Sequence, residues 1–552
     1  MALARRGPVF RGRSHTAPAR ARSGRAGRSW RRSGVSVAAL VAAVTIGISA
    51  CAIGPDPGPA LVPGGGGNGG QTAPASSSAP AKAPELRAPA NDLPWQDCAA
   101  KVSGDYGAPA PNGLRVQCAT LASPVDPDRS QTTLSLALTR ITSPTTPADA
   151  APLVLTSGTD MPSSRALLLL ASGAGRSLLD KHPVVAVDRR GIPQSTPLDC
   201  LTRADRAAYA DNGLTRGASE DRRIGDLASA ASDAADACTE TLAPDQLAFG
   251  VGAAASDLET LRKRWGVPQL GLIGVGEGSD VVIGYTALYG GRSGRIILDT
   301  PTPFGANARD TAAAAATGVQ AALTTFTQRC AALGSACALG SGGAATIADV
   351  LSKGRTGDLG ALSDTQALAG ITTGLALAAD SPDGIGGVAS AIAAADRGDT
   401  DALSDLADQA QSLRLTDGQI VGDCNDVTGP VSQNEIGGLI STWSKDNPLT
   451  GTDAALSLMR CNGWSAGEAV TPPSSFPVAP LILDNPGDPI NGGTGADALG
   501  ALFTRASTSP ITVSWNGLGY SALARSSCVA DTVADYVASA SLGGPSERGC
   551  PS

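Results

Sequence analysis

Histidine is the side chain most used to move protons near neutral pH, and only two occur in 552 residues, His15 and His182. His15 lies among the ten arginines of residues 1–50, a segment read below as removed on export. His182 precedes the apolar run Pro183-Val184-Val185-Ala186-Val187-Asp188, at the N-terminal end of an expected parallel strand. Reactive groups of such sheets gather at the C-terminal ends of the strands. A run of this length puts roughly 20 Å between its two ends. His182 is therefore read as a surface histidine, and no histidine of the mature chain can serve a nucleophile. Other reactive side chains sit in Gly274-Val275-Gly276-Glu277-Gly278-Ser279. There Ser279 is read as a helix N-cap, and Glu277 as a carboxylate favoured by the helix dipole. Ten cysteines follow Cys51, with no C-x-x-C pair and one histidine to help them, so neither zinc nor any other cofactor is expected. Their even number points to disulfides in an oxidising compartment, with the connectivity open on spacing alone.

The elements that would position these residues show as short apolar runs. Leu134, Leu136 and Leu138 alternate with polar or small residues, as in a half-buried strand. Residues 152–156 (PLVLT), 183–188 (PVVAVD), 270–274 (LGLIG), 296–299 (IILD), 480–484 (PLILD) and 511–514 (ITVS) are rich in Val, Ile and Leu with little alternation. That is the pattern of parallel strands covered on both faces. Helical stretches lie between them, such as residues 253–265, where Leu258, Leu261 and Trp265 share a face. Strands alternating with helices predict a doubly wound α/β domain. An Ala- and Gly-rich helical stretch over residues 303–475 interrupts the pattern, which then resumes, so a helical insertion is expected there.

The chain ends are of a different kind. The arginine-rich start is followed by an apolar run over residues 35–50, too short for a comfortable membrane span of about 20 residues. It reads as a signal peptide, and Ile48-Ser49-Ala50-Cys51 reads as a lipobox, with Cys51 acylated as the first mature residue. Residues 52–91, rich in Pro, Gly, Ala and Ser with no aromatic, read as a tether. The expected divisions are 1–50 signal peptide, 51–91 lipidated cysteine and tether, 92–302 first part of the core, 303–475 cap insertion and 476–552 last part of the core. The whole chain carries −8, but the first 50 residues hold ten arginines and no acid, so the rest carries −18. An acidic mature chain with 3 % aromatics offers no footprint for nucleic acid.

Several segments together carry a resemblance. They are Trp95-Gln96-Asp97-Cys98, the Gly-rich turn at Gly276 between strand and helix, and Val187-Asp188-Arg189-Arg190-Gly191 with Ser195-Thr196-Pro197-Leu198-Asp199-Cys200. Gly294-Arg295-Ile296-Ile297-Leu298-Asp299 and Asp488-Pro489 follow in the same order. Over residues 92–552 the chain resembles the secreted tripeptidyl aminopeptidase-like, or proline iminopeptidase-like, α/β-hydrolases, including lipoproteins of bacterial envelopes. The resemblance implies an α/β-hydrolase fold, doubly wound and mostly parallel, with a large helical cap. It also implies the disulfides Cys98–Cys118, Cys200–Cys238, Cys330–Cys337, Cys424–Cys461 and Cys528–Cys550.

Mapped onto this family, the nucleophile position of the strand–turn–helix elbow is Gly276, the acid is Asp488 and the base position is Leu518. Glycine has nothing to attack with and leucine moves no proton. The loop after the first central strand, Thr156-Ser157-Gly158-Thr159-Asp160-Met161-Pro162, keeps one glycine, and Asp160 disfavours a developing negative charge. The expectation is a lipid-anchored, disulfide-stapled, non-catalytic binding protein on the outer face of the bacterial cell membrane. Its ligand would be a peptide or an envelope protein, and Ser157, Gly158, Asp160 and Glu277 would border its pocket. Two alternatives stand beside it: a hydrolase working through Glu277 and Asp488, and a purely structural envelope lipoprotein.

Overall fold

The computed structural model describes residues 83–552 except 127–128, so the signal region, Cys51 and most of the tether lie outside the described residues. Ten strands form one sheet: β1 (Gln96–Asp97), β2 (Arg115–Asp126), β3 (Arg129–Thr142), β4 (Leu153–Thr156), β5 (Val184–Val187), β6 (Leu270–Val275), β7 (Ser293–Asp299), β8 (Leu481–Asp484), β9 (Ile511–Trp515) and β10 (Glu547–Cys550). Their order is β1-β2-β3-β5-β4-β6-β7-β8-β9-β10. From β5 to β10 neighbours run parallel, while β1, β2 and β3 are antiparallel and β3 meets β5 antiparallel.

The apolar runs show little alternation because both faces of the sheet are covered. In β4, Leu153 and Leu155 enter the core on one face and Val154 the core on the other. In β6, Ile273 and Val275 go one way, Leu270 and Leu272 the other. The helices Ser163–Ser172 and Ser527–Ser539 cover the first face. The second is covered by Val251–Trp265, through the expected Leu258, Leu261 and Trp265, and by Gly278–Tyr289. This is the doubly wound, mostly parallel fold that the sequence predicts.

Between β7 and β8 the described residues form helices and no strand, from Ala308–Ala332 to Gly451–Ser457. These helices build a core of their own around Phe326, Ile347, Ile371, Ile392 and Leu403. All five cysteine pairs form as the resemblance implies. Residues 83–91, read from sequence as tether, depart from that reading. Leu86 packs against the core, Arg295 donates to the Pro84 carbonyl at 2.9 Å, and Ala90 N donates to Trp265 O at 2.8 Å. One leucine in a Pro/Ala run gives no periodicity, so this attachment left no pattern to read.

The Asp-Arg-Arg-Gly segment at the end of β5 is structural. The buried Arg190 guanidinium grips both oxygens of Asp257, at 2.8 and 2.6 Å, and the Val125 carbonyl. Ser195 Oγ donates to Asp188 O at 2.7 Å, and Asp417, in the cap, accepts from Cys200 N and Leu201 N. The segment thus fastens the C-terminal end of β5 to the insertion above it.

Candidate functional site

At the end of β6 the chain turns sharply through Gly276, whose φ of +56° lies in the left-handed region, and enters the helix Gly278–Tyr289. The elbow is formed, but its space is taken. A β-carbon on Gly276 would lie 1.8 Å from Asp160 Oδ2 and 2.3 Å from Asn491 Nδ2. Asp160 Oδ2 accepts three hydrogen bonds there, from Asn491 Nδ2 at 2.7 Å, Tyr520 Oη at 3.0 Å and Glu277 N at 3.2 Å. The last donor is the amide following the elbow, the group that in an acyl-transfer site faces the developing oxyanion. The chain has put its own carboxylate where that charge would form. Burial raises the Asp160 carboxyl above its ordinary pKa, and the Asn491 hydrogen bond and Arg414 charge oppose the rise.

The acid loop after β8 and the turn after β9 lie back to back. Asn485 Nδ2 donates to Gly519 O at 2.8 Å and Gly519 N to Gly487 O at 3.1 Å. A β-carbon on Gly487 would sit 1.8 Å from Gly517 O, so only glycine fits this approach. Asp488 is fully buried; its Oδ1 accepts from Ile490 N and Asn491 N, while Oδ2 has no well-formed partner. Burial first, then the Asp160 charge, pushes its carboxyl up to about 7. Leu518, where the resemblance places a base, turns instead into the core of the helical insertion, and its N–H donates to Asp380 Oδ2 at 3.0 Å. Asp299, at the end of β7, holds the following turn through Ser521 Oγ and Ala522 N, which sets Tyr520 beneath the elbow.

Residues 447–548, which hold the acid loop, the Leu518 turn and the last strands, match the family model described as TAP-like protein. The chain has the α/β-hydrolase fold, and its C-terminal segment is similar to TAP-like proteins. No curated protein matches it. Among solved structures it is similar to the proline iminopeptidase-related protein of Thermus thermophilus, at 12 % identity over 76 % of this chain and 97 % of that one, TM-score 0.30. An esterase of Rhodococcus sp. ECU1013 aligns at 13 % identity over 78 % and 100 %, TM-score 0.36. A bacterial membrane phospholipase A aligns at 18 % over 37 % and 44 %, TM-score 0.21, so this chain spans under half of that enzyme. At these identities the solved structures assign no substrate to this chain.

Most of the remaining candidate residues lie around the elbow, with His182 at the far end of the sheet. Glu277 is half-buried and takes the Thr159 hydroxyl; burial, then Asp423, Asp160 and Asp280, hold its carboxyl well above the usual range. It makes no helix cap of its own. Nor does Ser279: its hydroxyl donates to Gly274 O at 3.1 Å from inside the first turn, correcting the N-cap reading. Glu277 and Asp488 each feel Asp160, but neither ranks among the groups that shift the other. His182 hydrogen-bonds Ala151 O at the opposite end of the sheet, and burial lowers its pKa. Ser157, Gly158, Asp160 and Glu277, expected to border a pocket, are packed on one another instead; a β-carbon on Gly158 would lie 2.6 Å from the Glu277 backbone. The cavity lies beside them, about 210 Å³ between the insertion and the acid loop, walled by Ala315, Ala369, Ala410, Arg414, Pro489 and Ile490 among others. Asn491, Tyr520 and Arg414 escaped the sequence reading. Tyr520 lies two residues from Leu518 and Asn491 three from Asp488, but no spacing tells that both converge on the elbow.

Proposed function

We propose that this α/β-hydrolase-fold protein is a non-catalytic binding protein of the bacterial cell envelope, anchored through acylated Cys51. The observation that carries the reading is the Asp160 carboxylate hydrogen-bonded into the space over Gly276. Triad members act as a unit, and the elbow has neither a hydroxyl to attack nor room for one. A carboxylate on the oxyanion donors opposes a second negative charge there. The Leu518 side chain, set in the cap core, serves to hold the insertion over the sheet. What the fold retains is a scaffold with a cavity next to the former centre. The lipobox at Cys51 and the five disulfides support an extracytoplasmic home.

The test is turnover of a fluorogenic tripeptide and a short-chain ester, with a serine-reactive phosphonate alongside. Background rates and no labelling are expected. Turnover abolished by the phosphonate would overturn the reading. Turnover that ignores the phosphonate but disappears in Glu277→Gln would shift it to a carboxylate mechanism. Mass spectrometry of the membrane fraction checks the anchor, and an unmodified Cys51 there would remove that part.

A further inference from the structure

The cavity between insertion and sheet is walled by alanines such as Ala315, Ala369 and Ala410 and by polar side chains such as Thr372 and Gln411, with Pro489 and Ile490 of the acid loop on one side. Of the three charged side chains in the wall, Arg460 donates to Asn212 and Asp453 accepts from Asn212, while Arg414 is unpaired among the described residues. Arg414, the last residue of the helix Asp401–Arg414, is partly buried, and its guanidinium makes no hydrogen bond or ion pair with any described residue. Its Nε is sealed from solvent without a partner. Arginine in such surroundings is normally paired, because an unmatched buried donor costs the full desolvation of that group. Arg165, outside the wall, also has a buried Nε without a partner, but the other arginine of the wall and its neighbour Arg223 follow the rule. Arg460, also in the wall, donates to Asn212 Oδ1 at 2.9 Å, and Arg223 grips both oxygens of Asp364. Asp160 feels the Arg414 charge but spends its Oδ2 on Asn491, Tyr520 and Glu277 N.

We propose that this cavity binds a small monocarboxylate with a short, largely apolar body, and that Arg414 receives the carboxylate. A guanidinium presents paired N–H groups that match the two oxygens of a carboxylate. The alanine, Val319, Leu368 and Ile490 part of the wall suits a slender aliphatic body, and a volume of about 210 Å³ is several times the roughly 30 Å³ share of one water. The ligand carries a single negative charge, because Asp453 in the wall and Asp160 close by repel a second one. A free aliphatic acid and the C-terminus of a short peptide share this chemistry. The inference deepens the binding reading above and rests on it.

Isothermal titration of the purified full-length protein tests it. The probes are hexanoate and N-acetylalanylalanine, each beside its neutral amide, and inorganic phosphate. One carboxylate is expected to bind, with its amide at least about tenfold weaker, the loss of one charge-assisted contact. Arg414→Gln brings the acid down to the level of its amide, Arg414→Lys retains part of the difference, and Ala410→Phe, which fills the cavity, removes binding of both. Preference for hexanoate assigns an aliphatic acid; preference for the dipeptide assigns a peptide C-terminus. Failure of both acids to bind at millimolar concentration, equal binding by Arg414→Gln, or preference for phosphate would each overturn the proposal. If Arg414→Gln does not fold, Arg414→Lys and Ala410→Phe decide. Phosphonate labelling of the same sample keeps the two readings apart. A labelled, active protein ends the non-catalytic reading whatever hexanoate does, and an unlabelled one that binds no acid ends only this inference.

Discussion

At the scale of single residues, one carboxylate, Asp160, takes the space over Gly276 where a nucleophile and an oxyanion would sit. Asp160 and Gly276 depend on each other: the glycine leaves the space and the aspartate fills it. Gly276→Ser puts a side chain at a left-handed φ and into contact with Asp160 and Asn491, so a loss of about 1–3 kcal/mol is expected from overpacking. Asp160→Ala leaves the Asn491 and Glu277 donors unmatched, while Tyr520 Oη keeps Val275 O at 3.3 Å, and is destabilising on its own. In the double variant the serine gains room and its hydroxyl can accept from Asn491, so the combined loss is smaller than the sum of the single ones. Urea unfolding of all four proteins measures this coupling; simple additivity would refute the dependence. Titration offers a second check. Burial lifts Asp488 to about 7, and Asp188 and Asp299 to about 6. In the unfolded chain such carboxyls titrate near pH ~4. The folded protein therefore holds more protons than the unfolded chain between about pH 4 and pH 7, and stability falls as pH rises through that window. Asp488→Asn keeps an oxygen for Ile490 N and Asn491 N and has no charge to bury. Its melting midpoint at pH 8 is expected above that of the wild type, with a smaller drop from pH 5 to pH 8. An unchanged pH profile would count against the buried-carboxyl account.

At the scale of elements, two loops and the insertion explain why the centre is shaped as it is. The loops after β8 and β9 stack through Gly487 and Gly517, and the cap takes hold of the second through Leu518 and Asp380. Arg329 adds to this grip by pairing with Asp380 and donating to Asn516 O at 2.9 Å. Leu518→Ala removes a buried side chain from the cap core, so a loss of about 2–5 kcal/mol is expected. The loss should come with faster amide exchange in the helix Asp364–Leu377, whose Leu375 belongs to the same core. Full protection there would show that Leu518 is not an anchor. Much at this scale was legible beforehand. The Val-, Ile- and Leu-rich runs marked β4 to β9, because strands covered on both faces favour apolar residues along their length. By contrast, β2 buries alternate residues from Ala119 to Val125, but buried Ser123 and exposed Ala122 blur the pattern in sequence, and β10 has one buried residue in four. Gly276 and Leu518 could be placed because each sits in a local motif. The seat of Asp160 over Gly276 depends on contacts 331 and 360 residues apart in sequence, and no local pattern encodes those.

At the scale of the whole molecule, the five disulfides lie near the sheet edges and in or beside the insertion. Cys98–Cys118 ties the helix Ala99–Tyr106 to β2 near one edge of the sheet. Cys528–Cys550 ties the helix Ser527–Ser539 to β10 at the other. Cys200–Cys238 and Cys424–Cys461 meet in one small core where the insertion joins the β5 side. Cys330–Cys337 closes only the end of the helix Ala308–Ala332. These positions rank the bridges. A cross-link acts chiefly on the unfolded chain, and its effect grows with the logarithm of the loop it closes. Cys200 and Cys238 are separated by 38 residues and Cys330 and Cys337 by 7. The chain-entropy estimate gives about 4 kcal/mol for the first and about 2 kcal/mol for the second. Both pairs are buried or nearly so, and replacing each by two alanines leaves similar small voids, so the native-state costs largely cancel in the comparison. Removing Cys200–Cys238 is therefore expected to destabilise the protein more than removing Cys330–Cys337, by about 1–2 kcal/mol, in urea unfolding followed by circular dichroism. Equal losses would mean that the bridges act through native packing, and that the core shared by Cys200, Cys238 and Cys424, rather than the loop it closes, holds the insertion in place.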